Sequence, residues 1–168
     1  FDGAGEGDTI QASDACLVLQ GEGLGDRLGW SLASLDFDGD GIQDLALGAP
    51  GCMKDPLFPG RVYILPGHRL RALTRRHHQN RLSVTSPGLG ALVLEGNGGS
   101  DRFGYALASV GDLDGDGCDE LAIGAPSVQF SAHDQEWFEP HPMLYSPRES
   151  IGYVEVHRGR ALPELTNV

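Results

Sequence analysis

The sequence predicts an all-β chain of two four-stranded units that belong to a larger array. Three observations carry this reading. One acidic nine-residue loop occurs twice, both copies are framed by the same short apolar segments, and glycine and proline punctuate the chain densely. Of 168 residues, 25 are Gly and 10 are Pro, while 40% are hydrophobic, which is enough for a core once neighbouring units stack.

In chain order, Leu17-Val-Leu-Gln-Gly matches Leu92-Val-Leu-Glu-Gly, and each reads as a short strand. Next, Gly25-Asp-Arg-Leu-Gly-Trp-Ser-Leu-Ala-Ser-Leu35 matches Ser100-Asp-Arg-Phe-Gly-Tyr-Ala-Leu-Ala-Ser-Val110. The acidic loops follow, Asp-Phe-Asp-Gly-Asp-Gly-Ile-Gln-Asp at 36–44 and Asp-Leu-Asp-Gly-Asp-Gly-Cys-Asp-Glu at 112–120. The offset is 75 up to Leu35 and 76 from Asp36 to Pro50, because Gly111 is inserted. After each loop comes Leu45-Ala-Leu-Gly-Ala-Pro50 or Leu121-Ala-Ile-Gly-Ala-Pro126, too short and too bounded by Gly and Pro for a helix, hence a buried strand. Gly60-Arg-Val-Tyr-Ile-Leu65 matches Gly152-Tyr-Val-Glu-Val-His157 and supplies another.

Each unit then reads as strand, acidic loop, strand, variable loop and strand, with a fourth strand from the Leu-Val-Leu segment. The expected organisation is an N-terminal segment 1–16, a first unit 17–65, a basic connecting loop 66–91, a second unit 92–158 with a long insertion at 127–150, and an exit segment 159–168. Four short strands per repeat is the pattern of a propeller blade.

The acidic loops can be read as ligand lists. Carboxylates at every second position of a tight turn converge and repel, and a hard divalent cation that prefers oxygen resolves the conflict. Calcium suits the pattern because it accepts many carboxylate and carbonyl ligands in flexible geometry. In the first loop Asp36, Asp38, Asp40 and Asp44 offer carboxylates, Ile42 a backbone carbonyl, and Gly41 the sharp turn. In the second, Asp112, Asp114, Asp116 and Glu120 take the carboxylate roles, Cys118 the carbonyl and Gly117 the turn. A helix-loop-helix calcium site needs Glu at the twelfth position, and here that position is Leu47 or Ile123. Two calcium ions are therefore expected, one in each loop.

Leu28-Gly29 or Phe103-Gly104, the acidic loop, and Gly-Ala-Pro at 48–50 and 124–126 together resemble the FG-GAP repeat. This resemblance implies the seven-bladed propellers of integrin alpha subunits and of glycosylphosphatidylinositol-specific phospholipase D, and it is closest to the propeller of that phospholipase. The departures are Leu28 in place of the signature Phe and Glu120 in place of the usual last Asp. Two blades cannot close a ring of ~4 to 8. The remaining blades are expected in the same parent chain or in a partner chain, and the isolated 168 residues are expected to be unstable or self-associating because both outer blade faces lack a neighbour.

The formal net charge is −12. Nine acids (Asp36, Asp38, Asp40, Asp44, Asp112, Asp114, Asp116, Asp119 and Glu120) lie in the two loops, so two divalent ions reduce the net charge to −8. Such acidity argues against nucleic-acid binding. Against this trend, the segment 68–81 holds five of eleven arginines and three histidines. Arg69, Arg71, Arg75, Arg76 and Arg81 read either as a patch for phosphate, sulfated glycan or anionic lipid headgroups, or as a solvated loop or short surface helix. The insertion 127–150 is acidic and aromatic, with Trp137 as a candidate ligand contact, or as packing for its own loop. His133 and His141 lack the further ligands that a zinc site needs.

No Gly-x-Ser-x-Gly elbow or Walker loop is present, and the paired carboxylates are accounted for by metal, so this chain itself is not expected to be catalytic. Cys118 occupies the slot of Ile42, which leaves Cys16 and Cys52 as a candidate disulfide. No apolar run is long enough to span a membrane, and the acidic residues 1–8 do not form a signal peptide. A secreted, lumenal or cell-surface setting is expected, where calcium fills sites of modest affinity.

Two functional readings stand. In one the segment is scaffold or recognition module in a protein resembling the phospholipase, whose zinc-dependent cleavage of glycosylphosphatidylinositol anchors the resemblance assigns to a separate helical domain. In the other it belongs to an integrin-alpha-like or lectin-like adhesion propeller that binds protein or glycan through its rim.

Overall fold

The computed structural model describes residues 11, 14–51, 59–75, 80–98, 101–126 and 152–162. Among them the strands are β1 (Leu17–Gln20), β2 (Ser31–Leu35), β3 (Asp44–Ala49), β4 (Arg61–Leu65), β5 (Asn80–Ser83), β6 (Leu92–Glu95), β7 (Ala106–Gly111), β8 (Glu120–Ala125) and β9 (Tyr153–His157). One helix, α1 (Gly67–Thr74), and a 3-10 turn at Pro87–Leu89 lie between β4 and β6. The fold is mostly antiparallel β-sheet, consistent with propeller blades.

The first sheet has the order β2-β3-β4-β6, and the second, among the described residues, β7-β8-β9. Both central strands are the Leu-Ala-Leu/Ile-Gly-Ala segments, whose nearly unbroken apolar run suits a strand with covered faces. The repeat is legible in the register: Ser31 faces Gly48 and Leu35 faces Asp44, while Ala106 faces Gly124 and Gly111 faces Glu120. The inserted Gly111 is taken up by a register shift after Ser109, as a β-bulge absorbs one extra residue, and its φ of 75° is one that glycine tolerates. Arg27 and Arg102, equivalent positions in the two units, both hold left-handed backbone, with φ of 56° and 55°.

Two expectations are corrected. Leu92–Glu95 does not belong to the sheet of the second unit. It pairs antiparallel with β4 and completes the first sheet, burying Leu92 and Leu94 in part on one face while Val93 stays 41% exposed. The edge of β4 needs a strand, and the segment that precedes Phe103 lies beside it. Correspondingly, Leu17–Gln20 is not in the sheet of the first unit but pairs in parallel with β5. The connection expected as a basic loop over 66–91 contains α1, β5 and the 3-10 turn.

The seam between the sheets is the main core. Leu35, Phe37, Ala46, Val62 and Ile64 of the first unit meet Phe103, Leu121, Ile123 and Ala125 of the second. Full burial of each large side chain contributes roughly 1.5–3 kcal/mol. The motif residues tie this seam together. Gly48 accepts hydrogen bonds at its carbonyl from the amides of Gly29 and Trp30 at 3.0 and 3.2 Å, and Gly124 accepts from Tyr105 at 3.1 Å. Across the seam, Phe103 donates to the Pro59 carbonyl at 3.1 Å and Ser31 Oγ donates to the Gly104 carbonyl at 2.6 Å. A Cβ at Gly48 would collide with the Gly104 carbonyl, so the glycine is what lets the two backbones approach.

The outer faces are not alike, which corrects the expectation that both lack a neighbour. On the first sheet, Leu47, Ala49, Tyr63 and Leu65 are covered by Val84, Leu89, Leu19, Leu70, Leu73 and Leu82 from β1, α1, β5 and the 3-10 turn. On the second sheet, Val154 and Val156 remain 69% and 55% exposed. Their counterparts in the first unit, Val62 and Ile64, are fully buried by the second sheet.

Candidate metal centres

The first acidic loop joins β2 to β3, and its carboxylates brace their own turn. Asp36 Oδ2 accepts from the Gly41 amide at 2.9 Å, Asp38 Oδ1 from Asp40 at 3.2 Å, and Asp40 Oδ1 from Ile42 at 2.7 Å. Asp44, at the start of β3, accepts from Phe37 at 3.0 Å and from Gly67 at 2.7 Å. Gly41 holds φ at 79°, as the tight turn requires. The second loop, joining β7 to β8, repeats the scheme. Asp112 accepts from Gly115, Asp116 and Gly117 at 2.7, 3.1 and 2.9 Å; Asp116 accepts from Cys118 at 2.9 Å; and Glu120 accepts from Leu113 at 2.6 Å.

After this bracing, Asp36, Asp38 and Asp44 bring one carboxylate oxygen each within 4.8 Å of the others, as do Asp112, Asp114 and Glu120. Asp40 gathers instead with Asp38 and His68. His68 lies in the first turn of α1, with Nδ1 3.3 Å from Asp40 Oδ2. It was not among the residues expected at the site, since its sequence neighbours are basic and only the α1 fold brings it to the loop. Asp116 lies outside these groups, and Ile42 and Cys118 are each tied at their amides to the preceding Asp.

The electrostatics are those of crowded acids. Burial, together with the charges of Asp38 and Asp40, pushes the Asp44 carboxyl up to about 6, against the lowering effect of the Gly67 and Phe37 amides. Burial, then the neighbouring Asp40 and Asp36, also raises Asp38. Asp36 Oδ1 and Glu120 Oε1 are shut away from solvent with no hydrogen-bond donor among the described residues. A buried carboxylate oxygen without a donor is costly, and a hard cation is the group that such an oxygen set accommodates. The residues present therefore fit a divalent cation in each loop.

Residues 28–65 and 103–134 match the FG-GAP repeat family. Both matched stretches fall on the repeated units and include their acidic loops. The chain is 46% identical over 103 residues to phosphatidylinositol-glycan-specific phospholipase D of Rattus norvegicus, which covers 61% of the chain and 11% of that protein. It is 36% identical over 118 residues to integrin alpha-PS2 of Drosophila melanogaster, covering 64% of the chain and 7% of the relative. It is 37% identical over 108 residues to integrin alpha-5 of Xenopus laevis, covering 64% of the chain and 9% of the relative. The chain spans 11% or less of the length of these three relatives.

The basic candidates scatter around the first unit. Arg71 and Arg75, four residues apart at α1 and its C-terminal end, are exposed, as is Arg81 in β5. Arg69 is half-buried and packs its guanidinium against Gly90, a structural position. Arg76 and Trp137 lie outside the described residues, as does the Cys52 half of the disulfide expected with Cys16, which is itself exposed. Cys118, in the second loop, abuts the first, its Sγ about 3.0 Å from where a Cβ on Gly39 would stand. Among the described residues, no helix is long and apolar enough to cross a membrane.

Proposed function

We propose that this chain is a calcium-binding FG-GAP propeller segment, one ion in each acidic loop, which serves as scaffold or recognition module of a larger protein similar to phosphatidylinositol-glycan-specific phospholipase D. The observation that carries the reading is the pair of buried carboxylate oxygens, Asp36 Oδ1 and Glu120 Oε1, each without a donor within a convergent set of three acids. Asp36, Asp38, Asp40 and Asp44 with the Ile42 carbonyl hold the first ion. Asp112, Asp114, Asp116 and Glu120 with the Cys118 carbonyl hold the second. Any phosphodiester chemistry belongs to other parts of the parent polypeptide, and the setting is secreted, lumenal or cell-surface. The remaining blades, from the same or a partner chain, cover the open face of the second sheet.

A second reading, an adhesion propeller that binds protein or glycan, is favoured by the integrin relatives and by the exposed arginines of α1. The test of the calcium reading is a melting curve of the complete propeller with and without calcium, alongside metal counting. Calcium at ~100 times its dissociation constant is expected to add about 2.7 kcal/mol per site. Magnesium is expected to substitute poorly, because it demands octahedral geometry and dehydrates reluctantly. Fewer than two ions in these blades, or identical melting in chelator, overturns the reading.

A further inference from the structure

The two acidic loops touch, and Asp119 supplies hydrogen bonds between them. The Asp119 amide donates to the Asp36 carbonyl at 2.8 Å, and the Asp36 amide donates to Asp119 Oδ2 at 2.9 Å. A third bond, from the Arg160 amide to the Phe37 carbonyl at 2.7 Å, runs beside them. Asp119 is half-buried and stands between Cys118 and Glu120 of the second loop, while Asp36 opens the ligand set of the first. Its counterpart in the first loop is Gln43, which is exposed and accepts from Ser34 Oγ at 3.1 Å.

We propose that Asp119 is a positioning residue through which the two cation sites reinforce each other, so that filling either loop raises the affinity of the other. This rests on the calcium reading above. Asp119 has its backbone fixed on both sides when Cys118 and Glu120 are engaged. Its amide and carboxylate then hold the main chain of Asp36 in place from both directions, and the first loop has less to order on binding. By linkage the effect is reciprocal. Charge does not reverse the sign. The first loop carries four carboxylates and the second five, so each remains negative after taking up a dication.

The test is isothermal titration of the full chain with calcium alone. Asp38→Ala leaves the second loop as the single site and Asp114→Ala leaves the first, giving the affinity of each site by itself. The product of the two association constants of the unaltered chain is expected to exceed the product of these single-site constants by about fivefold or more, the lower end of typical couplings. Asp119→Ala removes the side-chain acceptor and is expected to bring that ratio towards one. Asp119→Asn, which removes the charge but keeps a carbonyl oxygen for the Asp36 amide, is expected to preserve most of the excess. Circular dichroism of each variant separates loss of coupling from loss of fold. Two bound ions with a ratio of one in the unaltered chain overturn the coupling and leave the calcium reading standing. Fewer than two bound ions overturn both. An Asp119→Ala chain that folds and keeps the full excess overturns the role of Asp119.

Discussion

Asp44 Oδ1 accepts a hydrogen bond of 2.7 Å from the Gly67 amide, so the carboxylate that ends the first acidic loop also anchors the first residue of α1. Its other oxygen takes the Phe37 amide at 3.0 Å. Asp44→Ala leaves both amides without their acceptor, and each such loss costs about 1–3 kcal/mol when buried. The variant is expected to lose about 2 kcal/mol or more even in chelator. Asp38→Ala, which frees only the exposed Asp40 amide, is expected to lose less than about 1 kcal/mol under the same conditions. Urea unfolding of both variants without calcium makes the comparison, and equal losses contradict it.

The aromatic of the second unit is expected to matter more than its aliphatic counterpart in the first. Phe103 is 1% exposed within the seam between sheets, whereas Leu28 is half-buried on the outer face of the first. Phe103→Ala is expected to cost about 3–5 kcal/mol. Leu28→Ala is expected to cost about 1–2 kcal/mol, because partial burial forfeits less apolar surface. Equilibrium denaturation of the two single variants checks the order.

Self-association of the isolated chain is expected to occur through the second sheet alone. Val154 and Val156 are exposed there, while the corresponding outer face of the first sheet is already covered by α1, β1 and β5. Val154→Glu combined with Val156→Lys is expected to convert the isolated 168 residues to a monomer in sedimentation analysis. In the complete propeller the same pair is expected to lower the melting temperature, since charged groups are then forced into an interface. A chain that is monomeric before substitution removes the basis for the first expectation.

The exposed arginines provide a test of the adhesion reading. Arg71→Gln with Arg75→Gln is expected to weaken binding to anionic vesicles or sulfated glycans while leaving melting unchanged, because both side chains are exposed on α1 and at its end. Binding of the unaltered chain is expected to fall with added salt, since exposed charges are screened over ~8 Å at physiological ionic strength. Insensitivity to the substitutions assigns these arginines to the solvated helix surface.

Much of this architecture was legible in the chain. The internal match placed β2, β3, β4, β7, β8 and β9, and the one-residue change of offset coincides with the register shift between Ser109 and Gly111. Converging carboxylates were read from their alternation, since a turn fixed by Gly41 or Gly117 leaves them few other directions. What escaped was decided by contacts distant in sequence. The Leu-Val-Leu segments have the same local pattern wherever they pair, so nothing in Leu92–Glu95 itself says that β4 is its neighbour. The α1 segment is rich in arginine and has a weak apolar stripe, yet Leu70 and Leu73 pack on the first sheet and His68 comes to rest beside Asp40. Asp119 was counted as one more loop acid, because its bond to a residue 83 positions away has no local signature.

The placement of β6 sets a difference of phase between the chain and its folded parts. The sheet that begins at Ser31 is finished only by Leu92–Glu95, just ahead of the Phe-Gly that opens the next one. Cutting the gene at the borders of the written repeat therefore never isolates a whole sheet. Adding or deleting one repeat between two others has the opposite outcome: the strand taken from one sheet is supplied to the next, and every interior sheet stays complete.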